Sequence, residues 1–287
     1  MKNPSAPFQK VVIVGMGLIG GSLALEFKRG KFAEQVIGVS RSVQNRKAAL
    51  QCGALDEAYA EIDSFVEDAD LIILATPVTN IVESLKKLKP LISQSALVTD
   101  VGSTKKKIVD EARRLKLKQF VGGHPIAGTE KSGMMAAELD LFAGKKWILT
   151  PLVKHPALKK FKSFLKDIGA ELVEMKSELH DEVFASTSHV PNLLAYALAG
   201  ATAQNKAQEK IKLAGSSIKG MTRVASSPPE MWRDICLTNS KEISRALKDL
   251  QKQISKLQKA IHSQNPKALM TLLEQGRRFR KSLEKVS

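Results

Sequence analysis

The feature that most constrains the fold is a glycine-rich turn that directly follows a short apolar run near the start of the chain. Residues 11–14 (VVIV) are β-branched and indicate a buried parallel strand. The turn has GxGxxG spacing, in the order Gly15, Met16, Gly17, Leu18, Ile19 and Gly20. Apolar residues then continue at helical spacing. A strand, this turn and a helix together predict a Rossmann-type dinucleotide-binding unit.

Each glycine has a physical role in such a unit. Gly15 permits the tight turn, Gly17 lets the backbone approach a pyrophosphate, and Gly20 lets the helix pack closely on the strand. The backbone N–H groups at the helix start, which includes Leu18 and Ile19, are then available to phosphate oxygens. We expect these five residues to bind a nicotinamide dinucleotide.

The end of the second predicted strand bears on which dinucleotide is bound. An NAD site usually has Asp or Glu there for the ribose 2′-hydroxyl, but this chain has Ser40 and Arg41. A hydroxyl and a cation suit a 2′-phosphate, so NADP is the preferred cofactor and NAD the second choice. An exposed Arg41 that leaves both cofactors acceptable is the alternative. Thr76 ends another strand at the edge where ligands bind, and we expect it to line the cleft.

The order of elements predicts two domains. Strands expected near residues 11–14, 36–39, 71–75, 97–99, 120–121, 147–149 and 171–175 alternate with helices near 42–52, 79–89, 104–115 and 156–168. Such alternation predicts a parallel sheet covered on both faces. Beyond residue 176 the pattern is helical, near 179–204, 206–217, 229–262 and 266–284. The sequence thus predicts a Rossmann domain over residues 1–175 and an all-α substrate-binding and dimerisation domain over 176–287.

One helix in the second half carries an apolar heptad stripe. Its members are Ile243, Leu247, Leu250, Ile254, Leu257 and Ile261. The stripe fits a core helix with a solvated basic side, and it also fits a helix that packs against a second subunit. We expect a homodimer formed through the helical domain. Asn265 and Pro266 predict the cap and first turn of the last helix.

Composition limits the remaining classes. The net charge is +16, and residues 241–287 alone hold 12 basic and 4 acidic side chains. The chain has only two Trp and two Tyr, so a base-stacking platform is poorly supplied and nucleic-acid binding is not expected. No apolar run reaches membrane-spanning length, and Cys52 and Cys236 form neither a disulfide framework nor a zinc pattern. We expect a cytoplasmic enzyme with no metal site.

Four further blocks stand at strand ends or in the helical half. They are DVGSTK at residues 100–105, GGHPIAGTEKSG at 122–133, HD at 180–181 followed by SHVPN at 188–192, and KGMTR at 219–223 with MWRD at 231–234. Together they resemble the prephenate/arogenate dehydrogenase family over nearly the whole chain. The resemblance implies oxidative decarboxylation of prephenate to 4-hydroxyphenylpyruvate in tyrosine biosynthesis, with hydride transfer to the nicotinamide. Arogenate, or both substrates, is the alternative.

The resemblance also implies roles for individual residues. His124 matches the catalytic histidine that hydrogen-bonds the substrate hydroxyl. Ser103 matches the serine that contacts both this histidine and the hydroxyl. From the sequence alone, Ser103 is also a candidate N-cap for a helix that begins at Thr104. Arg223 matches the arginine that grips a substrate carboxylate. The other pocket positions implied by the family are Lys219, Asn192, Ser188, Thr129, Glu130 and Trp232.

Two positions depart from the family pattern. Asn192 stands where many members carry a second histidine, and Gly220 stands where an acidic residue often follows the lysine. An acidic partner would favour the ammonium group of arogenate, so its absence favours prephenate slightly. Another two-domain dehydrogenase, such as a 3-hydroxyacid dehydrogenase, and a non-catalytic nucleotide-sensing protein remain as competing hypotheses.

Overall fold

The computed structural model describes residues 6–129, 131–152 and 155–285. Within these residues one eight-stranded sheet forms. Its strands, β1 to β8 in chain order, are Phe8–Val14, Ala33–Val39, Glu57–Tyr59, Leu71–Leu74, Leu97–Asp100, Phe120–Pro125, Lys146–Pro151 and Glu171–Glu174. They lie in the order β3-β2-β1-β4-β5-β6-β7-β8. All neighbouring pairs are parallel except β6 and β7, which are antiparallel.

The strand order creates the cleft that a dinucleotide uses. Strand β1 lies between β2 and β4, so the chain leaves β1 towards one side of the sheet and later returns to its other side. Ligands of open α/β sheets bind at the carboxyl ends of the strands at such a switch point. The predicted α/β class is confirmed, with a mostly parallel sheet. The antiparallel β7 and the short edge strand β3 were not predicted.

Helices cover both faces of the sheet. The first five, α1 to α5, are Leu18–Arg29, Val43–Gln51, Val78–Leu88, Lys106–Arg114 and Pro156–Asp167. Strand β1 alternates, so Val11 and Ile13 join one buried cluster while Val12 and Val14 join the other. Phe27 and Phe164 stack in the first cluster with ring centroids 4.0 Å apart. Burial on both faces explains why the central strands, such as β1 and β4, are continuous apolar runs.

The next five helices, α6 to α10, follow the sheet. They are Ser177–Phe184, Val190–Ala203, Ala207–Lys212, Ser216–Thr222 and Pro229–Thr238. A π-helical turn, Ala185–His189, joins α6 to α7, so the expected helix over 179–204 is continuous but irregular. The single helix expected over 206–217 is wrong, because the chain interrupts it and restarts at Gly215, the N-cap of α9.

Two compact units divide the chain, residues 1–240 and 241–287. The helix expected over 229–262 is split close to this boundary. Helix α10 ends before Asn239, whose side-chain amide donates to the Asp181 carbonyl over 2.8 Å, and α11 spans Ser240–His262. Because Asn239 leaves helical geometry to make this bond, one long helix cannot form. The predicted domain boundary at residues 175 and 176 stays a prediction.

The second unit contains most of α11 and all of α12, Pro266–Leu283. Asn265 caps α12, since its side chain accepts a hydrogen bond from the Ala268 N–H over 3.0 Å, and the predicted cap is confirmed. Among the residues described, no helix is long and apolar enough to cross a bilayer.

Candidate active site

The glycine-rich turn has the shape that a pyrophosphate requires. Gly15 has φ +109°, and a Cβ built on it would lie 2.4 Å from the Ala75 carbonyl oxygen. A Cβ on Gly20 would lie 1.9 Å from the Gly15 carbonyl oxygen, so both positions tolerate only glycine. Gly17 faces open space, with nothing within 4 Å of its Cβ position. Helix α1 also starts without a side-chain cap, which leaves its first N–H groups for phosphate oxygens.

Three more predicted cofactor residues belong to this turn or lie beside it. Thr76 lies against Gly15, since its Cγ2 would be 2.9 Å from a Cβ there. Its hydroxyl is buried, and among the described residues it has no hydrogen-bond partner. A buried hydroxyl without a partner suits a contact with a bound molecule. Leu18 and Ile19 form the first two positions of α1 and belong to the core beneath the turn.

The loop after β2 carries the residues expected at the ribose. Ser40 donates its backbone N–H to the Tyr59 carbonyl, which pins the loop to the sheet edge. Arg46, on α2, donates from its guanidinium to the carbonyl oxygens of Ser40 and Arg41. The side chain of Arg41 is exposed. The loop after β2 therefore carries a hydroxyl and an exposed cation, and the Arg46 guanidinium is bonded to its backbone.

A buried ion pair lies at the carboxyl ends of β5 and β6. Lys105 and Asp100 are both fully buried and bonded to each other. Lys105 Nζ also donates to the Gly123 carbonyl over 2.7 Å, and Asp100 accepts the Gly123 N–H over 3.1 Å. Burial raises the pKa of the Asp100 carboxyl and lowers the pKa of the Lys105 ammonium. The pair thus fixes the strand segment that leads directly to His124.

His124 belongs to a chain of hydrogen bonds that crosses from the sheet to α6. Its Nδ1 lies 2.8 Å from Nε2 of His180, and Nδ1 of His180 lies 2.7 Å from Oδ1 of Asp181. The Phe184 ring packs on both imidazoles, with centroids 5.0 Å from His124 and 4.5 Å from His180. These contacts hold the His124 ring at a fixed position and tilt.

Burial keeps these imidazoles neutral. It is the largest cause that lowers the pKa of His124 well below 6.5, and neighbouring His180 and Lys105 lower it further. Burial and the Lys105 cation lower the pKa of His180 to about 2. Burial also raises the pKa of the Asp181 carboxyl, while two backbone N–H donors oppose that shift. A neutral His124 can accept a proton from a substrate hydroxyl.

The expected capping role of Ser103 is wrong. Helix α4 begins at Lys106, and its N-cap residue Lys105 makes no side-chain cap. The cap comes instead from Asp181, which accepts the backbone N–H groups of Lys105 over 2.7 Å and of Lys106 over 3.0 Å. Among the described residues, no hydrogen bond joins the Ser103 hydroxyl to the His124 ring. Ser103 is half-buried in the loop between β5 and α4.

The π-helical turn changes which residues of the α6–α7 segment share a face. His180 and His189 are nine residues apart, which in a regular α-helix places them about 180° apart around the axis. The extra residue accommodated by the π turn reduces this to roughly 80°. His189 is buried, and its Nδ1 lies 3.3 Å from the amide of Asn239, which also binds the Asp181 backbone. This histidine therefore supports the framework around Asp181.

The structure does not place all expected substrate residues around His124. Ser188 lies in the π turn and Asn192 in α7, where the Asn192 amide donates to the Ser188 carbonyl over 2.9 Å. Lys219 is exposed on α9, and Arg223 is exposed at the end of that helix. Thr129 is exposed in the loop after β6, where its hydroxyl accepts the Lys131 N–H. Glu130 lies outside the described residues.

Trp232 is buried on α10 with its indole N–H lacking a partner in the described part of the chain. Two bonds hold α10 in place: the Thr79 hydroxyl donates to Asp234 over 2.7 Å, and the hydroxyls of Thr104 and Thr238 meet at 3.0 Å. The indole N–H is thus a preorganised donor. A buried donor without a partner suits a contact with a bound molecule.

Sequence reasoning missed the residues that support His124. It noted the adjacent His180 and Asp181 but gave them no role, and it treated Lys105 and Asp100 only as parts of a motif. The available signal was chemical, since His180 and Asp181 are titratable neighbours near the start of the helix predicted over 179–204. Their contact with His124 spans 56 residues of sequence and depends on the fold.

Comparison with known proteins settles the family. The model described as "Prephenate dehydrogenase, nucleotide-binding domain" matches residues 23–174, and "Prephenate dehydrogenase, dimerization domain" matches residues 176–275. The chain belongs to the prephenate dehydrogenase family. The resemblance stated from its motifs is therefore confirmed.

Members of this family with high similarity come from several bacteria. Prephenate dehydrogenase of Bacillus subtilis is 36% identical over 95% of this chain and 76% of that protein. The Aquifex aeolicus prephenate dehydrogenase structure, in complex with hydroxyphenyl propionate and NAD+, is 37% identical with a TM-score of 0.89 and covers 96% of this chain and 98% of that one. Synechocystis arogenate dehydrogenase is 32% identical with a TM-score of 0.81, covering 96% and 100%.

Proposed function

We propose that this chain oxidises prephenate to 4-hydroxyphenylpyruvate and carbon dioxide, with NADP as the preferred hydride acceptor. The observation that carries the proposal is the neutral, rigidly held His124 at the carboxyl end of β6, in a sheet whose glycine turn fits a dinucleotide. When bound, the nicotinamide supplies the hydride acceptor. The chain's own residues must hold the substrate and move the hydroxyl proton.

His124 is the group proposed to move that proton. Its unprotonated nitrogen accepts the hydrogen of the substrate hydroxyl while hydride leaves the same ring carbon. The ring carboxylate then departs as carbon dioxide, and its bonding electrons complete the aromatic ring. The phenolic oxygen recovers the proton from His124, so the histidine returns to its starting form. Ser103, on the neighbouring loop, would hold the hydroxyl in place.

The remaining residues are proposed to bind the two carboxylates and shape the pocket. Arg223 offers a bidentate guanidinium and Lys219 a second cation, while the unpartnered indole N–H of Trp232 offers a neutral donor. The proposed pocket also contains Asn192, Ser188, Thr129 and Glu130.

Two choices within the family, the cofactor and the substrate, are proposed from small sets of residues. Ser40 and Arg41 supply a hydroxyl and a cation after β2, with Arg46 bonded to the carbonyls of both, and such groups support a preference for the 2′-phosphate of NADP. The related Aquifex aeolicus enzyme was bound to NAD+, so a difference at this loop would distinguish the two proteins. Gly220 and Asn192 supply no carboxylate for the ammonium group of arogenate, which favours prephenate.

We also propose a homodimer in the cytoplasm. The matched family model for residues 176–275 describes a dimerization domain, and α11 carries an apolar heptad stripe in which Ile254 is 48% and Ile261 is 62% exposed. Apolar side chains exposed at this spacing suit a partner helix. Cys52 and Cys236 are both free thiols, as a reducing compartment favours.

Initial rates of reduced-cofactor formation test the proposal, with prephenate or arogenate combined with NADP or NAD. We expect the highest kcat/KM for prephenate with NADP, and a His124→Gln variant that binds cofactor normally but loses most of kcat. A His262→Gln variant, changed at an exposed site, serves as the control. Activity in none of the four combinations would refute the proposed reaction, and the nucleotide-sensing hypothesis would replace it.

A further inference from the structure

The hydrogen bonds around His124 determine which of its ring nitrogens carries the proton. The Asp181 carboxylate already accepts two backbone N–H groups at the start of α4, so it acts only as an acceptor. Nδ1 of His180, 2.7 Å from Asp181, must therefore be the protonated nitrogen of that ring. Nε2 of His180 is then an acceptor, and Nδ1 of His124, 2.8 Å away, must donate to it.

This assignment leaves Nε2 of His124 without a proton. A neutral imidazole has one donor and one acceptor nitrogen, so a donor at Nδ1 makes Nε2 a base. The Phe184 ring packs on both imidazoles, and their planes are tilted by 59°, which restricts ring flips. Asp181 is itself held at the positive end of the α4 helix, which stabilises its carboxylate form.

We propose that Asp181 and His180 are positioning residues that lock His124 in its Nδ1-protonated form, so that Nε2 is the nitrogen that takes the substrate proton. The inference rests on the proposed function for its catalytic consequence. Neither residue touches the substrate in this scheme. Each acts through the next, from the helix start to Asp181, then to His180, and finally to His124.

The protonation state can be measured without activity. Protein labelled with 15N in its histidine rings contains five such residues, and a His124→Gln variant identifies the signals of His124. We expect the proton on Nδ1 of His124 in the unmodified protein. In Asp181→Asn, the new amide can donate to His180, which reverses both rings and moves the His124 proton to Nε2. A proton on Nε2 of His124 in the unmodified protein would overturn the inference.

Kinetics of variants test the consequence. His180→Phe retains an aromatic side chain but removes the acceptor, and we expect kcat to fall about a hundredfold or more, with less than about a threefold change in KM for prephenate or Kd for NADP. His180→Gln retains an acceptor oxygen and should recover most of that loss. Asp181→Asn should lower kcat by about 10²–10⁴ through the wrong tautomer. His262→Phe is the control at an exposed site.

The outcomes separate this inference from the proposed function. If prephenate is not oxidised by the unmodified protein, the proposed reaction fails, while the ring-nitrogen signals still decide the tautomer. If the unmodified protein oxidises prephenate but the kcat of His180→Phe equals the kcat of His180→Gln, the positioning role is wrong. If His180→Phe does not fold, the signals of the unmodified protein and the kcat of Asp181→Asn decide the question.

Discussion

Nδ1 of His124 lies 2.8 Å from Nε2 of His180, and this one bond joins the end of the Rossmann sheet to the first helix that follows it. The two residues are 56 positions apart in sequence. Both rings are held neutral by burial, as is the nearby His189. A site that keeps histidines neutral by excluding water gains a base, but it also makes the native state sensitive to acid.

His189 gives the clearest prediction of this sensitivity. Burial lowers its pKa to about 4, whereas an unfolded histidine titrates near 6.5. As pH falls below about 6.5, the unfolded chain binds a proton that the native chain does not, so stability decreases until the native pKa is reached. We expect this residue to remove about 3 kcal/mol of the free energy of unfolding over that interval.

Urea unfolding at about pH 7 and about pH 5 measures the effect. A His189→Asn variant should lose roughly 2 kcal/mol less than the unmodified protein between these conditions. His262→Asn, changed at an exposed histidine, should follow the unmodified protein. Equal acid sensitivity in all three proteins would show that His189 is not held neutral in the native state.

The glycine turn predicts opposite behaviour for two neighbouring substitutions. Gly20→Ala places a Cβ 1.9 Å from the Gly15 carbonyl oxygen, and we expect a loss of at least about 1–3 kcal/mol in stability. Gly17→Ala places its Cβ in open space on the side where a pyrophosphate would approach. It should leave the melting temperature nearly unchanged and weaken cofactor binding at least tenfold. Calorimetry measures the melting temperature of each variant, and titration measures its affinity for the cofactor. If both variants bind the cofactor more weakly but have the same melting temperature, the packing argument for Gly20 is wrong.

Arg41 should decide between the two cofactors. Removing its cation in Arg41→Ala removes a partner for the 2′-phosphate, and we expect kcat/KM for NADP to fall about tenfold or more while that for NAD changes little. Lys47→Ala removes the same charge from an exposed position of the neighbouring helix, and kcat/KM should stay unchanged for both NADP and NAD. If Arg41→Ala lowers kcat/KM equally with both cofactors, then Arg41 supports the loop and does not bind the 2′-phosphate.

The elements with strong local signals were predictable from the sequence. Apolar runs and the GxGxxG spacing identified the central strands, and Asn265 with Pro266 identified the start of α12. Edge strand β3 was missed because its residues are only partly buried and show no apolar run. The break at Asn239 was missed because a distant partner, the Asp181 carbonyl, takes that side chain out of the helix.

The candidate site also contains features that were predictable from local sequence and features that depend on distant residues. His124 and Ser103 were found through a motif, but the cap of α4 was assigned to the nearby Ser103 when it comes from Asp181, 76 residues from Lys105. Helix caps are usually local, so a sequence-based assignment favours the adjacent residue. The π turn is equally hidden, since residues 185–189 (ASTSH) carry no signal that separates it from a regular helix.

The apolar stripe of α11 predicts how the protein assembles. Ile254 and Ile261 are exposed and one heptad apart, and charging both in Ile254→Glu/Ile261→Glu should shift a dimer to monomer in light scattering at micromolar concentration. Ser255→Glu/His262→Glu makes the same charge change at exposed positions with the same spacing but away from the stripe, and should leave the dimer intact. A monomeric unmodified protein, or equal behaviour of both variants, would rule out this helix as the contact.

The buried pair of Lys105 and Asp100 predicts a large difference between two adjacent lysines. Lys105→Met leaves the Asp100 carboxylate buried without its cation, which should lower the free energy of unfolding by about 3–5 kcal/mol. Lys106→Met removes a half-exposed lysine whose ion pair with Asp110 is at the surface, so the loss should stay below about 1 kcal/mol.

Urea unfolding of both variants checks this difference, and a double variant identifies its cause. Asp100→Asn/Lys105→Met removes the stranded charge, and the oxygen of the introduced amide can still accept one of the backbone N–H groups of Gly102 and Gly123. We therefore expect the double variant to be more stable than Lys105→Met alone, as found when a buried pair is replaced as a unit. If the two lysine variants lose equal stability, or the double variant is the least stable, then the cost does not come from an unpaired buried charge.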